Sequence, residues 1–219
     1  MRFFQKYILL CAAFFISIQL SLAQEVETEQ EFQTWTSFTL QKKLGKGLSL
    51  DIKPQLRFEN TEIDKGLFDA GLQYKWNNFI KTKAIYRFGL ENKTETNEIS
   101  HRFALDLKGE REWNRWEGSL RLRMSTITDF EEEDNDGLNL RYRAKMAYNL
   151  PKTSLKPYIS AELFQDLEAQ QFSKVRYSTG ASYKLFKHNY IGFRYSLDYY
   201  LLKYKNRHII SLNYKIKIK

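Results

Sequence analysis

Residues 48–59 read Leu48-Ser49-Leu50-Asp51-Ile52-Lys53-Pro54-Gln55-Leu56-Arg57-Phe58-Glu59 and alternate at every step. Leu48, Leu50, Ile52, Pro54, Leu56 and Phe58 fall in one set. Ser49, Asp51, Lys53, Gln55, Arg57 and Glu59 fall in the other. Successive side chains of an extended chain point to opposite faces. The segment is therefore a strand, apolar on one face and charged on the other. A helix would mix the two sets around its circumference.

The same period of two runs to the end of the chain. It recurs over Phe68–Trp76, Ile80–Leu90, Phe103–Lys108, Leu120–Met124, Leu138–Tyr148, Val175–Leu185, Ile191–Tyr199 and Ile210–Ile218. Phe32–Lys43 and Leu155–Asp166 alternate less regularly. Together these are about eleven strand candidates, many near the roughly 9–11 residues a tilted strand needs to cross a bilayer. Short connections are expected at Leu44–Gly47, Asn77–Asn78, Arg111–Asn114, Pro151–Ser154 and Lys187–Asn189. Longer ones are expected at Asn60–Gly66, Asn92–Glu98, Asp129–Gly137 and Leu167–Lys174. Short periplasmic turns facing longer outer loops are the habit of membrane barrels. The expected fold is all-β, a single transmembrane antiparallel barrel. Bacterial barrels normally have an even strand number, so the expected count is ten or twelve. Ten follows if Phe32–Lys43 is not a wall strand, twelve if one more strand is present.

Aromatic residues gather beside the short connections: Tyr74, Trp76, Phe79, Trp113, Trp116, Tyr148, Tyr158, Tyr183, Phe186 and Tyr190. Amphipathic rings favour the headgroup layer, so these are expected to form an interfacial girdle. The girdle and the charged face orient the barrel with its apolar side toward lipid. The competing fold is a soluble periplasmic lipocalin-like ligand binder, which would turn the apolar side inward.

Mean hydropathy is −0.57, and the one long apolar run lies at the start of the 219-residue chain. Arg2 and Lys6 precede an apolar core, Tyr7–Leu20, and Ser21-Leu22-Ala23 has the small-x-Ala form of a cleavage site. Residues 1–23 therefore read as a cleaved signal peptide and residues 24–219 as the barrel domain. The single cysteine, Cys11, falls inside the signal. A mature chain without cysteine has no disulfide, no thiol nucleophile and no Cys-ligated metal. Loss of Arg2 and Lys6 lowers the formal charge from +9 to about +7. In an exported chain this balance points to anionic headgroups or a basic interior rather than to nucleic acid. The expected partners are outer-membrane lipids, lipopolysaccharide, the barrel-assembly machinery during insertion, and a small solute in the lumen. The expected location is the outer membrane.

A run of short patterns resembles the domain of unknown function 2490 family, predicted outer-membrane barrels of Gram-negative bacteria. The patterns are Trp35 in an early strand, Leu56-Arg57, Gly71-Leu72-Gln73-Tyr74, Tyr86-Arg87-Phe88-Gly89 and His101-Arg102. Leu140-Arg141-Tyr142-Arg143, Glu162-Leu163-Phe164 and Arg176-Tyr177-Ser178-Thr179-Gly180 follow in order. The resemblance covers nearly all of the mature chain. It implies an outer-membrane barrel and assigns no activity. The chain departs from the pattern at Ile85, where a glycine would precede Tyr86-Arg87.

Alternation places Asp51, Arg57, Glu59, Arg87, Arg102, Asp106, Glu110, Glu117, Arg121, Arg123, Arg141, Arg143, Glu162, Arg176, Arg194 and Asp198 in the lumen. Arginine pairs carboxylates bidentately, so this set reads as a salt-bridged filling of a narrow barrel. If the lumen is open, its basic excess favours anions. No catalytic, cofactor or metal motif appears. A lipid-modifying hydrolase would need a serine beside one of three histidines, His101, His188 or His208, with Ser125 and Thr126 as candidates from a neighbouring strand. The acidic run Asp129–Asp136 lacks the spacing of a calcium loop and reads as a solvated outer loop. The expected function is therefore non-enzymatic, a structural or narrow anion-favouring pore barrel.

Overall fold

A computed structural model describes residues 28–92, 97–126 and 137–218. The signal segment 1–23, Cys11 and the acidic run 129–136 lie outside the described residues. Eleven strands form: β1 Glu29–Gly45, β2 Leu48–Glu59, β3 Glu62–Lys75, β4 Ile80–Asn92, β5 Asn97–Trp113 and β6 Trp116–Thr126. They continue with β7 Leu138–Tyr148, β8 Leu155–Asp166, β9 Gln171–Phe186, β10 Asn189–Tyr200 and β11 Lys205–Ile218. Each pairs with its chain neighbours, and β1 pairs with β11, so the sheet closes into a barrel. Every hairpin pair is antiparallel, whereas the closing pair is parallel, in unbroken register from Glu29↔Lys205 to Lys42↔Ile218.

The expected count of ten or twelve is thus corrected to eleven. Phe32–Lys43 is a full wall strand, and no twelfth is needed. An odd count makes the first and last strands run the same way, and a parallel ladder satisfies their backbone groups as completely as an antiparallel one. The acidic stretch Glu29–Glu31 opens β1.

Connections are tighter than expected at two places. Asn60 and Thr61 make a two-residue turn with positive φ (52° and 101°), so β3 begins at Glu62 rather than after Gly66. β9 likewise begins at Gln171 rather than after Lys174. The two ends of the barrel still differ. One end carries Lys46–Gly47, 76–79, Asn114–Arg115, 149–154 and Lys187–His188. The other carries the longest connection, 127–137. We call these the short-turn end and the long-loop end. Gly47 is required where it stands, because φ is +85° and a Cβ there would lie 2.7 Å from the Lys75 carbonyl oxygen.

The faces separate as the deciding stretch implies. On β2, Ser49, Asp51, Gln55 and Arg57 are buried inside the barrel, while Leu56 stays 43% exposed on its outer wall. Leu72, Phe103, Leu105, Leu120, Ile159, Phe193 and Leu212 are among the large apolar side chains exposed outside. The core of this barrel is polar and its surface apolar, the reverse of a soluble barrel. Pro54 sits on the outer face, where the β1–β2 register skips from Gln55 to Ile52. Proline has no N–H to offer that ladder.

Candidate functional site

Every lumen residue named from the sequence lies on the inner face, and most meet a partner across the barrel wall. Arg87 grips Asp69 with two bonds of 2.6 and 2.9 Å. Arg123 grips Asp106 with 2.6 and 2.8 Å. Arg176 makes the same forked contact with Asp198, and Lys174 stands 3.4 Å from that carboxylate. Arg121 reaches over Arg143's strand to Glu162. Lys83 bonds Asp51 at 2.6 Å, Glu110 accepts from Lys81 and Lys108, and Glu117 accepts from Lys156. Arg102 donates to Ser125 and Arg194 to Ser211, each at 3.1 Å. Glu59 stands at the long-loop mouth within electrostatic reach of Glu31, Asp64 and Arg207.

Register explains the order. Lys108, Arg121, Arg143, Glu162, Arg176, Asp198, Arg207 and Glu31 are successive cross-strand partners from β5 round to β1. One ladder of charge therefore climbs the inner wall and ends across the parallel seam, where Glu31 accepts from Arg207 at 2.6 Å and from Lys205. Forked, charge-assisted bonds in a region of low dielectric fix both strand register and side-chain position.

Aromatic rings are woven into the same wall. The guanidinium of Arg57 lies 3.9 Å from the Trp35 ring, and those of Arg176 and Arg194 lie 5.1 and 5.9 Å away. Arg141 and Lys174 lie over Phe164 at 4.6 and 4.8 Å. Such stacking stabilises a cation while leaving its N–H edge available. In the middle of the lumen the arginines enclose a cavity of about 260 Å³.

Two of the expected girdle residues turn inward. Tyr158 lies under Lys145, 3.9 Å from its Nζ, and Tyr190 under Lys217 at 4.6 Å. Tyr158 shares parity with Glu162 and Tyr190 with Arg194, so alternation sends both to the lumen. Gly180 makes room for Tyr158: a Cβ there would lie 2.9 Å from the Tyr158 hydroxyl and 2.4 Å from the Phe193 carbonyl oxygen. The rest of the girdle is outside. Tyr74 and Trp76 meet edge to face at 4.9 Å, Trp116 and Tyr148 at 4.7 Å, and Trp113 covers Gly118. Phe79, Tyr183 and Phe186 are exposed.

His101 and His208 each join a small aromatic group outside the barrel and toward the long-loop end, on well-separated strands. His101 meets the Tyr86 hydroxyl at 2.7 Å beside Phe88. His208 meets the Tyr195 hydroxyl at 2.7 Å and stacks on Phe32 at 4.8 Å. Ser125, the nearest serine candidate for a hydrolase, is buried on the opposite face and bonded to Arg102. Thr126 bonds the Phe103 backbone. His188 occupies a turn with φ of 75°.

Several lumen members were missed from the sequence. Asp69 shares parity with Gly71 and Gln73, so alternation alone could have found it. Lys53, Lys83 and Lys145 likewise share parity with Asp51, Arg87 and Arg143. Trp35 was hidden by the Thr- and Gln-rich irregularity of β1. The Glu31–Arg207 pair required the closing register.

A search of curated proteins finds no relative of this chain. The sequence model of a family described as protein of unknown function (DUF2490) matches residues 32–208. That span begins in β1, ends in β11 and takes in most of the lumen network but not Glu31 or Lys217, and the chain belongs to this family.

Proposed function

We propose that this chain is a non-enzymatic outer-membrane barrel whose lumen is a narrow, ion-paired passage favouring anions. The observation that carries the reading is the inversion of its faces, with charge inside and large apolar side chains outside. The outward set on β7 runs from Leu138 to Tyr148. Ten steps of about 3.4 Å at a tilt near 40° give an apolar band about 25 Å tall, the height of the band on outer-membrane barrels. Aromatic clusters flank this band at both ends. The interior supports the rest of the reading, because its network leaves only a small cavity with cations in excess.

Tryptophans test the membrane placement. In proteoliposomes, brominated lipid tails should quench Trp76, Trp113 and Trp116. The emission lost in Trp35→Phe should be the unquenched part. Equal quenching of all four would defeat the placement. Planar-bilayer recording tests the passage, with small anion-selective steps as the expected result. Large unselective steps, or cation selectivity, would overturn it. Lipopolysaccharide, the assembly machinery and the export signal belong to this reading and stand with the same placement.

A further inference from the structure

The central cavity holds more positive charge than its own carboxylates neutralise. Ten of its lining side chains are Lys or Arg and three are Asp or Glu. Asp106 and Asp198, just beyond the lining, occupy Arg123 and Arg176. Lys53, Arg143 and Arg194 have no carboxylate within ion-pairing distance among the described residues. Arg143 is left over because Glu162, its cross-strand partner, accepts from Arg121 instead. Lys53 bonds only the amide oxygen of Gln55, at 2.8 Å. Arg194 bonds only Ser211 by hydrogen bond. The Nε atoms of Arg143 and Arg194 are buried without a partner. Arg194 lies within electrostatic reach of both Lys53 and Arg143.

Glu162 attracts Arg143 and Arg194, and Asp69 attracts Lys53, from beyond pairing distance, so these buried charges are only partly compensated, which is costly. The cavity has roughly nine times the ~30 Å³ that one water takes in the liquid. That is room for a polyatomic anion with some of its hydration. Guanidinium forks match the oxygen pairs of a tetrahedral oxyanion better than a spherical halide. We propose that the cavity binds one multivalent oxyanion of the phosphate class, held by Arg143 and Arg194 with Lys53 beside them. The proposal rests on the anion-favouring reading of the lumen and names its ligand. Free phosphate and a small phosphate monoester share this chemistry.

Trp35 reports on the site, because Arg57 and Arg194 face its ring. The folded protein is titrated with inorganic phosphate, glycerol phosphate and chloride at matched ionic strength, following Trp35 emission and the heat-unfolding midpoint. Phosphate should saturate at one per chain and raise the midpoint, while chloride should do neither. A monoester that binds as well as phosphate assigns an organic phosphate; one that binds tenfold weaker assigns the free ion. Arg143→Gln should weaken phosphate at least tenfold, whereas Arg115→Gln, in a turn, should match wild type. Without phosphate, Arg143→Gln should melt above wild type, because it removes a charge that no carboxylate pairs directly. A purely structural arginine would give the opposite sign. Arg143→Lys keeps charge without the fork and should bind with intermediate affinity. Phosphate indistinguishable from chloride, or Arg143→Gln melting below wild type with unchanged binding, overturns the site. Bilayer recording separates the two readings. Conduction without saturable phosphate binding removes the site alone, and saturable binding in a silent barrel removes the passage alone.

Discussion

The two ends of the lumen use the same chemistry in opposite ways. Toward the long loops, the Asp198 side chain is 0% exposed and that of Lys174 2%, with the Lys174 ammonium over the Phe164 and Tyr200 rings. Toward the short turns, Lys81, Lys108 and Lys156 pair with Glu110 and Glu117, and these lysines are 24–29% exposed. An ion pair sealed from water holds the wall, because breaking it strands a charge. An ion pair open to water contributes little and mainly sets the local potential. The wall around Asp198 is therefore the driest part of the lumen, a constriction toward the long loops, and the short-turn end is a hydrated, lysine-lined vestibule.

Asp198→Ala should have the largest effect, a loss of about 3–5 kcal/mol, because Arg176 would lose its forked contact and Lys174 an ion-pair partner in a site sealed from water. The urea midpoint of the folded barrel measures it, and a loss below about 1 kcal/mol would erase the contrast between the two ends. Gly180→Ala lies where the two regimes meet. It should cost about 1–3 kcal/mol by overpacking, since its new methyl would press on the backbone of Phe193. Lys156→Ala, in the vestibule, should shift the midpoint by only about 0–1 kcal/mol. Its effect should fall on selectivity instead, and Lys81→Glu with Lys156→Glu should lower the anion preference. The smallest effect should be an asymmetry of current with polarity at about 0.1 M salt. It should fade at about 1 M, where screening shortens to about 3 Å.

The strands and their faces were legible because a period of two survives in each segment. The match is closest where apolar and charged residues strictly exchange, as in β2, β7 and β11. Legibility failed where both faces are polar. In β1, Thr34, Thr36, Ser37 and Thr39 carry no face signal, so the sequence allows a barrel without this strand and gives Trp35 no face. It failed again for Tyr158 and Tyr190, where nearness to a turn was weighed above parity. Of the candidate site, the arginines and most carboxylates were readable strand by strand. Which arginines lack a carboxylate was not, because Arg121 bypasses Arg143 to reach Glu162 two strands away. Pairing of that kind is set by closure and register.

The parallel seam between β1 and β11 has a topological consequence. A barrel with an even number of strands returns its chain to the side from which it started. Here Glu29 and Ile218 leave from opposite rims. Thr28 and Ile218 therefore face different compartments of any membrane the barrel crosses, and epitopes introduced at these two residues would answer to antibody from opposite sides.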